Sequence, residues 1–251
     1  MEVHTHTHTE RKKFTHYLWE FLMLFLAVFC GFLAENFREH IVENQREKVL
    51  MKSMLKDLRT DTAIFSGMMR GISDMNVHID SLMSLLSINS DLNKTAKEIY
   101  QQEVWTNLYY KIIYTDRTIE QLKNSGNFRL IRNQQVSDAI IEYDGYVRNF
   151  VIQMQDEGVL NQSRKVDDYR TGIFKSSVFR VWLKEGFQKG NIIQLPSAPY
   201  FVSTDRKHLD IYINLLGKYA VTNYWFVVNV GTAVEKAKKL DSLIKREYHL
   251  Q

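Results

Sequence analysis

Proline, the residue an α-helix tolerates least, occurs only twice in this 251-residue chain, at Pro196 and Pro199. Its fixed φ and missing N–H break helices, so the whole stretch before Pro196 is free to form long ones. A chain of this length can bury one sizeable core. With 45% hydrophobic and 25% charged residues it has the balance of a folded protein and not of a disordered one.

The hydrophobic pattern has the period that long helices need. Met51, Leu58, Phe65, Ile72, Ile79 and Leu86 fall seven apart, with Met54, Met68, Met75 and Leu82 completing the seam. One helix is therefore expected to reach about residue 87, with Gly67 and Gly71 as places where it can bend. A second series, Leu209, Leu216, Asn223, Val230, Ala237 and Ile244, is accompanied by Ile213, Ala220, Val227 and Val234. It predicts a helix over residues 204–248, capped by Ser203 or Thr204, with Asn223 as a polar residue that fixes register. Between the two lie shorter stripes. Trp105, Leu108, Ile112, Ile119 and Leu122 end at Gly126; Val136, Ile140, Val147, Val151 and Met154 end near Gly158; Val166, Tyr169, Ile173, Val178 and Trp182 end before Gly186. The expected fold class is all-α: an N-terminal transmembrane helix continuing into an elongated antiparallel bundle of four to five helices.

Residues 21–34 form an unbroken apolar run, extended upstream by Tyr17, Leu18 and Trp19. At 1.5 Å per residue, residues 17–34 cover about 27 Å, close to the thickness of a hydrocarbon core. Glu20 interrupts the run one turn inside its basic end, where it can snorkel, and Tyr17 and Trp19 lie at interface depth. Cleavage is disfavoured, since Phe32 or Phe29 would stand where a signal peptidase needs a small residue. Arg11, Lys12 and Lys13 precede the span, whereas Glu35, Glu39 and Glu43 surround Arg38 after it. The positive-inside rule then places residues 1–13 in the cytoplasm, the span over residues 14–35, and residues 36–251 outside as one periplasmic domain. Glu20, Leu24, Ala27, Gly31 and Ala34 recur at spacings of three and four, so the only carboxylate of residues 17–34 shares a face with the small residues there. That pattern predicts a helix–helix contact in the membrane through Glu20, Ala27, Gly31 and Ala34.

Residues 186–203 are the expected exception to helix, holding both prolines among many apolar side chains. Ile192, Ile193, Leu195, Tyr200 and Phe201 make this loop the candidate docking surface. His4, His6 and His8 alternate in the N-terminal tract, a weak candidate metal site without carboxylate or thiol. His40, His78, His208 and His249 are scattered singly. No nucleotide-binding glycine motif, zinc-protease motif or nucleophile elbow occurs. Asp57 with Asp61, and Asp167 with Asp168, read as carboxylates solvated on helix surfaces. The only thiol, Cys30, lies in the apolar run, so the domain beyond it can make no disulfide. A net charge of +4, with cations and anions interspersed, gives no footprint for nucleic acid. No catalytic residue, cofactor or resident metal is expected.

Three segments, EFLMLFLAVFCGFLAENFREH, REKVLMKSMLKDLRTDT and IEQLKNSGNFRLIRNQQVSDAIIEYD, together with the His-rich start, resemble a family of single-pass, membrane-anchored helical proteins of Bacteroidetes-type bacteria. The resemblance implies a native His-rich N-terminus, an inner-membrane anchor and a periplasmic helical domain. It carries over no activity and no functional residues. The expected function is protein–protein interaction or assembly in the envelope, without enzyme activity. The partners would be the lipid bilayer and either a second copy or another inner-membrane protein. The alternatives are a stator-like subunit of an ion-driven motor using Glu20, and a ligand-sensing periplasmic bundle.

Overall fold

The computed structural model describes residues 14–88, 91–179, 195 and 198–250. Their regular structure is helical. The only β feature among them is a single antiparallel bridge between Phe174 and Phe201. The elements are α1 (Phe14–Ile88), α2 (Ala96–Glu103), α3 (Arg117–Asn124), α4 (Gln134–Tyr146), α5 (Leu160–Arg170) and α6 (Arg206–Tyr248). Single 3-10 turns follow α2 and α3, and two π-helical stretches, Val147–Ile152 and Met154–Val159, link α4 to α5. The chain divides into two compact units, Met1–Leu50 and Met51–Gln251.

In the first unit, the described residues 14–41 are exposed on every side of the helix. This part of α1 is long and apolar enough to cross a membrane, and it is the only such helix among the described residues.

In the second unit, every predicted seam residue of α1 is buried, from Met51 and Met54 to Leu82 and Leu86. The partner of that seam is α6, and three contacts fix their direction as antiparallel. Arg206 donates to the Leu86 carbonyl (3.0 Å), Asn76 to the Ala220 carbonyl (3.1 Å), and Arg59 lies 3.6 Å from Asp241. On α6 the main seam is buried as expected, but its companion is displaced by one residue. Tyr212, Tyr219, Phe226, Ala233 and Leu240 are buried, whereas of the predicted companions only Val234 is buried and Ile213, Ala220 and Val227 are half-buried. The larger rings take the interior and set the rotation of the helix. Its cap is Asp205, one residue past the predicted Thr204, accepting from the His208 N–H at 3.3 Å. Ser203 accepts in turn from the Asp205 N–H.

Two expectations for the middle of the chain change. Helix is continuous from residue 134 to 170, so Gly158 ends nothing. The π turns explain why the predicted stripe drifts: each wide turn delays the return to the core by one residue. Gln155 is accordingly buried in place of Met154, followed by Val159. The stripe from Trp105 to Leu122 is likewise no single helix, because residues 108–116 run without regular structure between the 3-10 turn and α3. Gly126 does stop α3 as expected, at φ +64°. Trp182 and Gly186 lie outside the described residues.

Candidate functional site

The small-residue face of the apolar segment is exposed, like the rest of residues 14–41. A Cβ built on Gly31 would meet nothing within 4 Å, and Glu20, Ala27 and Ala34 are exposed with it. Phe21, Phe25 and Phe29 stack on one another at 6.3 and 5.9 Å between centroids. At 100° per residue these rings lie between about 100° and 180° around the axis from Glu20. The apolar segment thus has a bulky aromatic side and a narrow side. Glu20 has a partner within the helix, since His16 Nε2 is 3.0 Å from its Oε1. His16, one turn nearer the N-terminus, was not singled out in the sequence; its spacing of four from Glu20 is the signal for it.

The unstructured residues 108–116 form a strap across the second unit, and buried side chains supply the bonds that a helix would have made. Gln155 accepts from the Ile112 N–H (3.0 Å) and donates to the Tyr110 carbonyl (2.7 Å). Asp61 accepts from the Thr115 N–H and from the Tyr143 hydroxyl, both at 2.8 Å. Asp57 takes Arg117 at 2.7 Å together with the N–H (3.3 Å) and hydroxyl (2.5 Å) of Thr118. Asp57 and Asp61, read from sequence as solvated, are 1% and 0% exposed. The reason is visible in the heptads: Asp61 occupies the seam position between Met54 and Met68. Gly71 makes room for the same strap, because a Cβ there would stand 2.5 Å from the Tyr110 ring.

Next to this site Asp144 binds Tyr114 (2.9 Å), Lys123 (2.5 Å) and Arg148 (2.7 Å). Arg148 also reaches Asp116 and Glu120 and lies 5.4 Å from the Tyr114 ring centre. Burial pulls the Asp144 carboxyl upward, but the hydrogen bonds from Lys123, Arg148 and Tyr114 outweigh it and hold the group below its ordinary value. Asp61 has no cation bonded to it, and burial raises it despite the bonds from Thr115 and Tyr143. Burial, and then the charge of their acidic partners, raise Tyr114 and Tyr143. Every one of these acids is engaged by fixed donors. The network holds the strap.

A different situation holds where α2, α5 and α6 meet. Glu103 is 0% exposed, and one oxygen, Oε1, is 3.4 Å from Arg170 Nη1 and 3.3 Å from the Thr106 hydroxyl. Its other oxygen, Oε2, has no hydrogen-bond partner, nor has the buried Tyr212 hydroxyl. Desolvation raises the Glu103 carboxyl to about 7, against the pull of Arg170 and Thr106. In the sequence its signal is position: Ala96, Ile99, Tyr100 and Glu103 make one helical stripe, all buried.

The candidate docking loop is described only in part, as Ile192 and Ile193 lie outside the described residues. Leu195 and Tyr200 are half-buried, and Phe201 is turned inward. Phe201 packs against Tyr100 (5.6 Å) and Phe174 (5.9 Å), while the Val202 N–H donates to the Ile173 carbonyl at 2.8 Å. Tyr100 donates to the Tyr200 carbonyl (2.7 Å) and accepts from the Lys175 N–H (2.9 Å). Phe201 therefore serves the core, and an exposed contact in this segment would come from its neighbours. His78 stacks on Trp105 at 4.1 Å with Nδ1 2.7 Å from Gln102, a structural arrangement. His4, His6 and His8 lie outside the described residues. Among those described, no group of three His, Cys, Asp or Glu side chains is placed to hold a metal ion. Comparison with family models, with curated proteins and with solved structures finds no match to this chain.

Proposed function

We propose that this is a non-enzymatic, single-pass inner-membrane protein whose periplasmic helical bundle acts in protein–protein interaction or assembly in the envelope. The observation that carries the reading is the sidedness of the anchor. Glu20 and the small residues Ala27, Gly31 and Ala34 lie on one side of the exposed helix, and the Phe21–Phe25–Phe29 stack lies on the other. Lipid tails are as apolar as leucine, so helices associate in a bilayer through close approach at small residues and through hydrogen bonds between polar ones. The aromatic side suits lipid, and the narrow side suits a second helix, from another copy or from a different inner-membrane protein. Arg11, Lys12 and Lys13 favour a cytoplasmic N-terminus and a periplasmic domain. The antiparallel pairing of α1 with α6 supports an elongated bundle of four to five helices. The saturated state of Asp57, Asp61 and Asp144 supports a structural rather than catalytic use of the buried acids.

Photocrosslinking in intact membranes, from a probe placed at position 27, tests the reading. The unmodified stripe is expected to give one discrete product, a dimer or a single partner. Gly31→Leu should abolish that product while Phe25→Leu, on the aromatic side, leaves it. Equal labelling by the two variants would overturn the proposal. Glu20→Gln is expected to weaken the crosslink and leave membrane insertion unchanged.

A further inference from the structure

We infer that Glu103 is a proton-binding site that couples the acidity of the medium to the packing of α2 against α5 and α6. The geometry is a buried carboxyl that its surroundings satisfy only by half. Arg170 meets Oε1 at 3.4 Å, a long contact, and Oε2 has no partner at all. A charged oxygen left unbonded in the interior costs far more than a neutral carboxyl at the same place. The site is also built to lose the ion pair without orphaning the cation. Arg170 keeps Asp167 at 3.2 Å through its other terminal nitrogen, and its guanidinium lies 5.0 Å from the centre of the Phe179 ring. Protonation therefore removes a buried charge on Glu103 and leaves Arg170 paired.

The surrounding groups pull in both directions, and burial outweighs those that favour the charge. From α5, Arg170 stabilises the carboxylate and Asp167 opposes it. From α6, Tyr212 brings a hydroxyl that is itself unpartnered and held well above its ordinary value by burial and by the Glu103 charge. On α2, Tyr100 is pushed up to about 12, first by burial, with the Glu103 charge adding to it. Thr106 divides one hydroxyl between the Glu103 carbonyl at 2.8 Å and Oε1. On α1, His78 is occupied by Trp105 and Gln102. None of these supplies the second bond that a carboxylate needs.

The direction of the coupling follows. Glu103 is raised from an ordinary 4.5 to about 7, so the folded state binds a proton that the unfolded chain has released. Its contribution to stability is fully present below about pH 4.5 and is lost as pH rises through about 7. At mildly acid pH the junction of α2, α5 and α6 closes, and at mildly alkaline pH it loosens.

The test uses the full-length protein in nanodiscs of neutral lipid. Amide exchange of α2, corrected for intrinsic chemistry, is followed from about pH 5.5 to about pH 8.5, where each unit of linked titration is worth up to tenfold in protection. Protection of α2 in the unmodified protein should fall by about tenfold or more, while Glu103→Gln should remove most of that dependence. The carbon-13 resonance of the Glu103 carboxyl should titrate near neutrality. A Glu103→Gln variant with the unmodified pH dependence would overturn the inference. So would a Glu103 resonance that titrates in the ordinary carboxylate range, a measurement that decides the matter even if the variant does not fold.

Discussion

The strap site and the Glu103 junction both bury acids in the same unit, and they differ in how many donors each acid receives. Asp57 and Asp61 collect backbone N–H groups, hydroxyls and one arginine until their oxygens are occupied. Glu103 collects one distant arginine and a divided hydroxyl, and one oxygen stays bare. The difference shows that burial alone does not decide what an acid does. A fully bonded acid fastens one piece of chain to another, whereas a half-bonded one answers to protons.

The comparison can be broken most forcefully at Asp61. Asp61→Ala leaves the Thr115 N–H and the Tyr143 hydroxyl buried without an acceptor, and a loss of about 4 kcal/mol is expected. Urea unfolding at neutral pH measures it, and a loss under about 1 kcal/mol would show that the strap is held by packing instead. Gln155→Leu should cost about 3 kcal/mol, since it frees two backbone groups of the strap. Its signature is faster exchange at the Ile112 amide, with the α2 amides unchanged. The third effect is one of sign. Asp144 is held below its ordinary value of 3.8, so its stabilisation is present above about pH 4 and is lost as the pH falls below that. Acid unfolding of Asp144→Asn should show a shallower limb below about pH 4, a dependence of the opposite sign to that of Glu103. An unchanged limb would remove Asp144 from the network. The smallest change is expected from Asn223→Ala. Asn223 donates to Asn76 at 3.1 Å, but its own oxygen is unpartnered, and Asn76 keeps the Ala220 carbonyl. A cost of about 1 kcal/mol is expected, and one above about 3 kcal/mol would give the asparagine pair a larger part in pairing α1 with α6.

What the sequence makes legible here is periodicity. The α1 seam from Met51 to Leu86 is buried at every predicted position, because a long helix with one apolar face has few other ways to cover it. Periodicity fails where a side chain replaces the backbone as hydrogen-bond partner. Nothing in residues 108–116 announces that Asp61 and Gln155 will take their amides from other elements. The shift from Met154 to Gln155 likewise depends on π turns that carry no local signal. The polar seam positions of Asp61 and Glu103 were readable as departures from pattern. Their meaning was not, since it depends on how many donors arrive from residues distant in sequence. The residues of the small stripe with Glu20 do lie on one helix.

The amide of Gln155 has a consequence beyond holding the strap. It accepts from the N–H of residue 112 and donates to the carbonyl of residue 110, the pattern by which one residue of a parallel strand engages its neighbour. A single side chain thus stands in for an absent strand. Extended backbone with free N–H and carbonyl groups is a template on which another chain can lengthen a sheet. By occupying that stretch from within, Gln155 leaves the N–H of Ile112 and the carbonyl of Tyr110 already paired.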